Sequence, residues 1–204
     1  MLSRFLAGIV TLLGATCLHA QQRPLSQNVD FRNFTYSFPV HKFLAVPGKM
    51  VWMSLNVKTT ITLVNGRYDS DKVTPAQGPS IILDRVLYGY LTSAKQLDAV
   101  VVLGYHTGGT AWWSYVYAFS MASGQPKLVG WLRTGSRADF GLYRLDVSNG
   151  GLIVDLFDPD RRIADCCSEG FVRTSYSFSN GYFVQQGKPE FRTVEVTGPE
   201  KHEP

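Results

Sequence analysis

"DAVVVLGYHTGGTAWWSYVYAFSM", residues 98–121, decides the fold. Residues 99–103 form an unbroken apolar run that includes Val100, Val101 and Val102. An apolar run this short, β-branched and bounded by turn residues, reads as a strand buried on both faces. The stretch HTGGTA, residues 106–111, is a Gly-rich turn. Trp113, Tyr115, Tyr117 and Phe119 then occupy alternate positions. Side chains alternate faces along a strand, so these four rings form a ladder on one surface. Covered by another layer, the ladder is core. Facing water, it would be a platform for sugar rings or a partner protein. The core reading is the expected one, because large aromatic side chains are mostly buried. Trp112 has the opposite parity and sits beside the turn, which places it at a rim.

Outward from this hairpin, the chain continues as strands and turns. FTYSF alternates, with Phe34, Tyr36 and Phe38 on one side. TTITLVNGRYD is a strand followed by the tight-turn pair Asn65-Gly66. Residues 71–79 are polar and carry Pro and Gly, and read as a loop. SIILDRVLYGYL is β-branched and aromatic; KLVGWLRTG follows the break ASGQP. GLYRLDV and LIVDLFD flank the turn at residues 148–151, and FVRTSYSF and YFVQQ flank Ser179-Asn180-Gly181. FRTVEV closes the series. Turns recur about every ten residues, with little helical periodicity and no repeat of fixed period. The expected fold is therefore all-β: a mainly antiparallel meander, sandwich- or open-barrel-like. One short helix is expected near residues 135–140. The expected organisation is a signal peptide over residues 1–20, one β-rich domain over 21–196 and a disordered tail over 197–204.

The signal reading rests on MLSRFLAGIVTLLGATCLHA. Arg4 precedes a short apolar run, and Ala20 supplies the small residue at a cleavage site. The run is too short for a membrane span. A lipoprotein signal acylated at Cys17 fits less well, because Gly14 and Thr16 stand where a Leu and a small residue belong. Export to a periplasm or outside the cell is the expectation, with no transmembrane anchor in the mature chain. The full chain of 204 residues carries a formal charge of +4, with its basic residues scattered, so nucleic acid is not indicated. Of the three cysteines, cleavage removes Cys17 and leaves Cys166 and Cys167 side by side.

LDAVVVLGYHTGGTAWWSYVYAF and LIVDLFDPDRRIADCCSEGFVRTSYSF together resemble the LppP/LprE-type exported bacterial proteins and their relatives. The resemblance covers about residues 84–187. It rests on a DA-V-V-L strand, a Gly-Gly turn, an aromatic strand and a Cys-bearing loop before RT-Y. It implies bacterial export and no assigned activity, and carries no catalytic residue across. Many such relatives have an acidic loop, GDLxGDGxxD, before the central strand, whose alternating oxygens would suit calcium. Here the stretch is GYLTSAKQLD, with Tyr90, Thr92 and Ala94 at the acid positions and Asp98 alone remaining. A metal-free loop is expected, and no cofactor.

Chemistry-bearing residues are sparse. The mature chain has His41, His106 and His202. No G-x-S-x-G elbow, H-E-x-x-H or C-x-x-C occurs. His106 reads as an exposed turn residue, and Asp158, Asp160 and Asp165, interleaved with Arg161 and Arg162, as a solvated loop with local ion pairs. Asn33-Phe34-Thr35 is a glycosylation sequon, relevant only in a eukaryotic host. For Cys166 and Cys167 three outcomes are open: a vicinal disulfide, two free thiols, or bonds to another chain. Adjacent Cα atoms lie about 3.8 Å apart, whereas disulfides usually span about 4.4–6.8 Å, so a vicinal bond closes a small ring. The oxidising compartment and the lack of another partner favour that bond. The loop bearing the pair is expected between strands near residues 152–156 and 171–178.

The function expected from these residues is binding or structural and non-enzymatic, in the cell envelope or outside it, with a glycan or protein partner. The contact residues are Trp112, His106, Gly108 and Gly109, with Cys166 and Cys167 as a rigid sulfur surface. The alternative is a hydrolase or thiol-redox enzyme using His106 and Asp98, or the two cysteines.

Overall fold

The computed structural model describes residues 29–38, 59–69, 80–106, 108–121, 124–148 and 150–194. An N-terminal pair, β1 (Thr35–Phe38) and β2 (Thr59–Thr62), is antiparallel. A five-stranded meander follows in chain order: β3 (Arg67–Asp69), β4 (Ser80–Gly89), β5 (Asp98–His106), β6 (Trp112–Ser120) and β7 (Lys127–Ser136). A four-stranded sheet, ordered β13-β12-β9-β8, is built from β8 (Leu142–Ser148), β9 (Gly151–Phe157), β12 (Gly170–Ser179) and β13 (Tyr182–Thr193). Two short strands, β10 (Arg162–Ala164) and β11 (Cys167–Ser168), pair within the β9–β12 connection. All strand pairings are antiparallel, as expected of a meander. Among the described residues no helix is long and apolar enough to cross a membrane.

The two-faced apolar run sits at the centre of the five-stranded sheet. Val100 and Val102 point, with Val116, Ala118 and Leu132, into a core shared with Leu145, Leu152, Val154, Leu156 and Tyr176 of the four-stranded sheet. Ala99, Val101 and Leu103 point the other way, into a second core closed by Phe31, Tyr36, Ile61 and Leu63. The five-stranded sheet is therefore the middle of three layers. Residues 99–103 are all fully buried, because each face has its own cover. The aromatic ladder lies in the second core: Tyr115, Tyr117 and Phe119 are buried, and Trp113 is half-buried. Burial pushes the Tyr117 hydroxyl well above its ordinary pKa. The two sheets approach closely where β4 ends. A Cβ at Gly89 would come within 2.1 Å of Val147 Cγ1, so only Gly fits there.

The turns follow their chemistry. Asn65 and Gly66 have φ of 53° and 85°, and Asn180 and Gly181 have 52° and 86°, the left-handed pairs a two-residue hairpin needs. Residues 135–140 depart from expectation. Residues 135 and 136 end β7 and residues 137–140 form a tight turn, not a helix: Arg137 and Phe140 adopt φ of 50° and 54°, and Ser136 bridges Asp139. Left-handed residues break helical hydrogen bonding. The 71–79 loop and the 197–204 tail, like the signal segment, lie outside the described residues.

Candidate functional site

Trp112 and His106 face each other across the first rung of the β5–β6 hairpin. Their rings meet edge to face at 5.6 Å. The Gly108 N–H donates to His106 Nδ1 at 3.1 Å, so the neutral ring carries its proton on Nε2. Gly108 has φ of 90° and, like Gly109, is exposed. The indole of Trp112 lies against Gly104, where a Cβ would come within 2.2 Å of its Cζ2. Trp112 remains 37% exposed, at the rim as its parity implied. The main-chain N–H of Trp112 donates to Ser136 Oγ at 3.0 Å, anchoring β6 to β7.

Trp112 also lines a cleft of about 430 Å³, together with Asp84, Arg85, Ser114, Arg137 and Leu142. Register shifts surround it, at residues 83–85 of β4, 113–115 of β6 and 142–144 of β8. A bulge re-aims side chains and locally ends regular pairing. Here the bulges, with the left-handed turn at Arg137, hold the end of the sandwich open. Asp84 and Arg85 were not singled out from sequence, because only the β4 bulge turns both toward the cleft. Their ion pair is 3.4 Å long, and the buried Arg85 Nε makes no hydrogen bond among the described residues.

Two further clefts have different chemistry. One, of about 230 Å³, lies on the outer face of the four-stranded sheet and holds Arg144, Arg173 and Arg192. Each of those guanidiniums already faces a carboxylate: Asp146, Asp155 and Glu190 respectively. The Arg173–Asp155 pair is bidentate at 2.8 and 2.7 Å over a fully buried Asp155. The other cleft, of about 370 Å³, runs between residues 90–94 and Gly150 and has no charged lining.

Asp98 is fully buried. Its Oδ2 accepts from Leu91 N–H at 3.1 Å, Thr92 N–H at 2.6 Å and Thr92 Oγ1 at 2.8 Å. Its Oδ1 accepts from Gln96 Nε2 at 2.8 Å and Met121 N–H at 3.3 Å. Asp98 thus ties the residue 91–96 loop to itself and to the end of β6. Asp98 and His106 occupy opposite ends of β5, roughly 27 Å apart at about 3.4 Å per residue. The structure does not bring them together.

Cys166 and Cys167 are disulfide-bonded to each other. They lie between β9 and β12 as expected, although that connection contains the small β10–β11 hairpin rather than plain loop. Cys166 is exposed and Cys167 half-buried. Below them Ser168 Oγ donates to Asp158 O at 2.7 Å and accepts from Gly170 N–H at 3.2 Å. Asp158 is buried and caps a one-turn 3-10 segment through Asp160 N–H. Arg162 and Asp165 form a local ion pair at 3.7 Å. Of the three acids of this segment, Asp158 is therefore a buried cap rather than a solvated acid, Asp165 is paired, and Asp160 is exposed. Asn33 of the sequon is also engaged: it donates to Asp30 Oδ2 at 2.7 Å and accepts from Asn65 N–H at 2.8 Å. Because the disulfide closes a minimal loop, its reduction should shift unfolding free energy by less than about 1 kcal/mol. Thiol titration of protein lacking residues 1–20, made in an oxidising compartment, should find none before reduction and two after it. Free thiols, or a disulfide-linked dimer on a non-reducing gel, would contradict the bond.

The molecule is thus an all-β protein of two packed antiparallel sheets and a covering strand pair, with a cleft that carries Trp112 among charged residues. Comparison with protein-family models, curated proteins and solved structures gives no match.

Proposed function

We propose that this chain is an exported, non-enzymatic binding protein of the cell envelope or its outside, and that the Trp112 cleft holds a glycan. Export is read from residues 1–20, from the resemblance to exported bacterial proteins and from a cysteine pair suited to an oxidising compartment. The observation that carries the binding site is the partly exposed indole packed against Gly104, in a cleft shared with Asp84, Arg85 and Arg137. An aromatic face takes the apolar face of a sugar ring, and a few polar groups at its edge orient the hydroxyls. Loops and hairpin ends on a rigid β scaffold are where such groups concentrate. A thiol-redox role is the second reading, favoured by the exposure of Cys166, since an accessible disulfide sulfur is open to thiolate attack.

Retention on immobilised envelope glycans tests the first reading. The protein should bind at least one, and Trp112→Ala should weaken that binding by about tenfold or more at unchanged Tm. Gly104→Ala should weaken it too, because its Cβ displaces the indole. Binding indifferent to both substitutions would overturn the site, and retention on no glycan would overturn the function.

A further inference from the structure

We infer that the ligand of the Trp112 cleft is an acidic saccharide, whose ring carboxylate is received by Arg137 with Arg85 beside it; the inference rests on the glycan reading above. The argument is one of charge. Arg67, Arg144, Arg162, Arg173 and Arg192 each face a carboxylate within 4 Å. Arg133 lies over the Trp113 ring at 5.2 Å, and Arg32 donates to Asn65 O at 3.0 Å. The Arg137 guanidinium has no hydrogen bond or ion pair among the described residues. Arg85 shares Asp84 through a long contact that leaves its buried Nε without a hydrogen bond among the described residues. The cleft therefore holds two guanidiniums against one carboxylate.

Backbone geometry points the same way. Arg137 sits at φ of 50°, a conformation that Gly or Asn adopts at lower cost. Strained positions of this kind concentrate at functional sites. A guanidinium is a planar fork that matches a carboxylate with two parallel N–H donors. With the indole as a floor for the ring, the cleft offers both halves of a uronate: an apolar face and a fork for its acid. Its volume of about 430 Å³ falls within the ordinary range of small-ligand sites.

Titration calorimetry of the full chain with trigalacturonate and with neutral chitotriose tests this. Arg137→Asn is the informative variant, since Asn tolerates the left-handed backbone and the fold should survive, as an unchanged Tm would show. Wild type should bind trigalacturonate at least about tenfold more tightly than chitotriose, and more weakly as salt rises. Arg137→Asn should lose about tenfold for the acidic ligand alone, and Arg137→Lys should recover part of it. Equal binding of the two sugars, or acidic binding unchanged in Arg137→Asn, would overturn the inference. If that binding still required Trp112, the glycan reading would stand. Binding of neither sugar would overturn the inference, and failure across the immobilised glycans would then remove the glycan reading as well.

Discussion

Tyr117→Ala is expected to lower the unfolding free energy by about 3–5 kcal/mol, the cost of emptying a large aromatic site in a packed core. Tyr117 is fully buried between Val101 of β5 and Trp131 of β7, under the ring of Tyr36 at 5.6 Å. It joins the middle sheet to its N-terminal cover. The loss should appear as a drop in Tm of roughly 6–20 °C. Tyr117→Phe separates packing from polarity. The hydroxyl has no hydrogen-bond partner among the described residues, and burying it unpaired is unfavourable by about 1–3 kcal/mol, so the Phe variant should be as stable as the parent or more so. An Ala variant that melts like the parent would mean that the ladder is a surface platform rather than core.

Asp98→Ala should cost about 3 kcal/mol or more in denaturant unfolding. Removing the carboxylate strands the main-chain N–H groups of Leu91, Thr92 and Met121, and hydrogen bonds to a charged acceptor contribute about 1.5–3 kcal/mol each. Asp98→Asn replaces one acceptor oxygen by a donor and should recover only part of the loss. Glycan binding by the folded Asp98→Asn protein should be unchanged, because Trp112 lies at the opposite end of the β5–β6 hairpin. A cost below about 1 kcal/mol would contradict the role given to Asp98 as the tie of this loop.

The sheets were legible because local rules and tertiary structure agree along most of the chain. Asn65-Gly66 and Asn180-Gly181 specify left-handed turns whatever surrounds them. The run at residues 99–103 requires cover on two faces, and the parity of Trp113 to Phe119 separates one ladder from Trp112. What stayed hidden depends on groups distant in sequence. The donors to Asp98 come from residues 91–96 and from Met121, so no pattern around residue 98 reveals that its carboxylate is fully used. The 135–140 turn was misread because Arg137 and Phe140 adopt a left-handed backbone that neither residue type advertises. Trp112 and the adjacent Gly-rich turn were identifiable as a rim. Arg85 and Arg137, the charged half of the cleft, were not, because a bulge in β4 and that turn bring them to the indole.

The side-chain N–H signals of the tryptophans, followed by nuclear magnetic resonance during titration with the best-retained glycan, test the central claim most directly. Trp112→Phe assigns the signal of interest. The account predicts that the Trp112 indole signal shifts and saturates with ligand, while those of Trp113 and Trp131, on the other face of the middle sheet, stay in place. A saturable shift at Trp113 with Trp112 unmoved would contradict it, and place the binding face on the aromatic ladder.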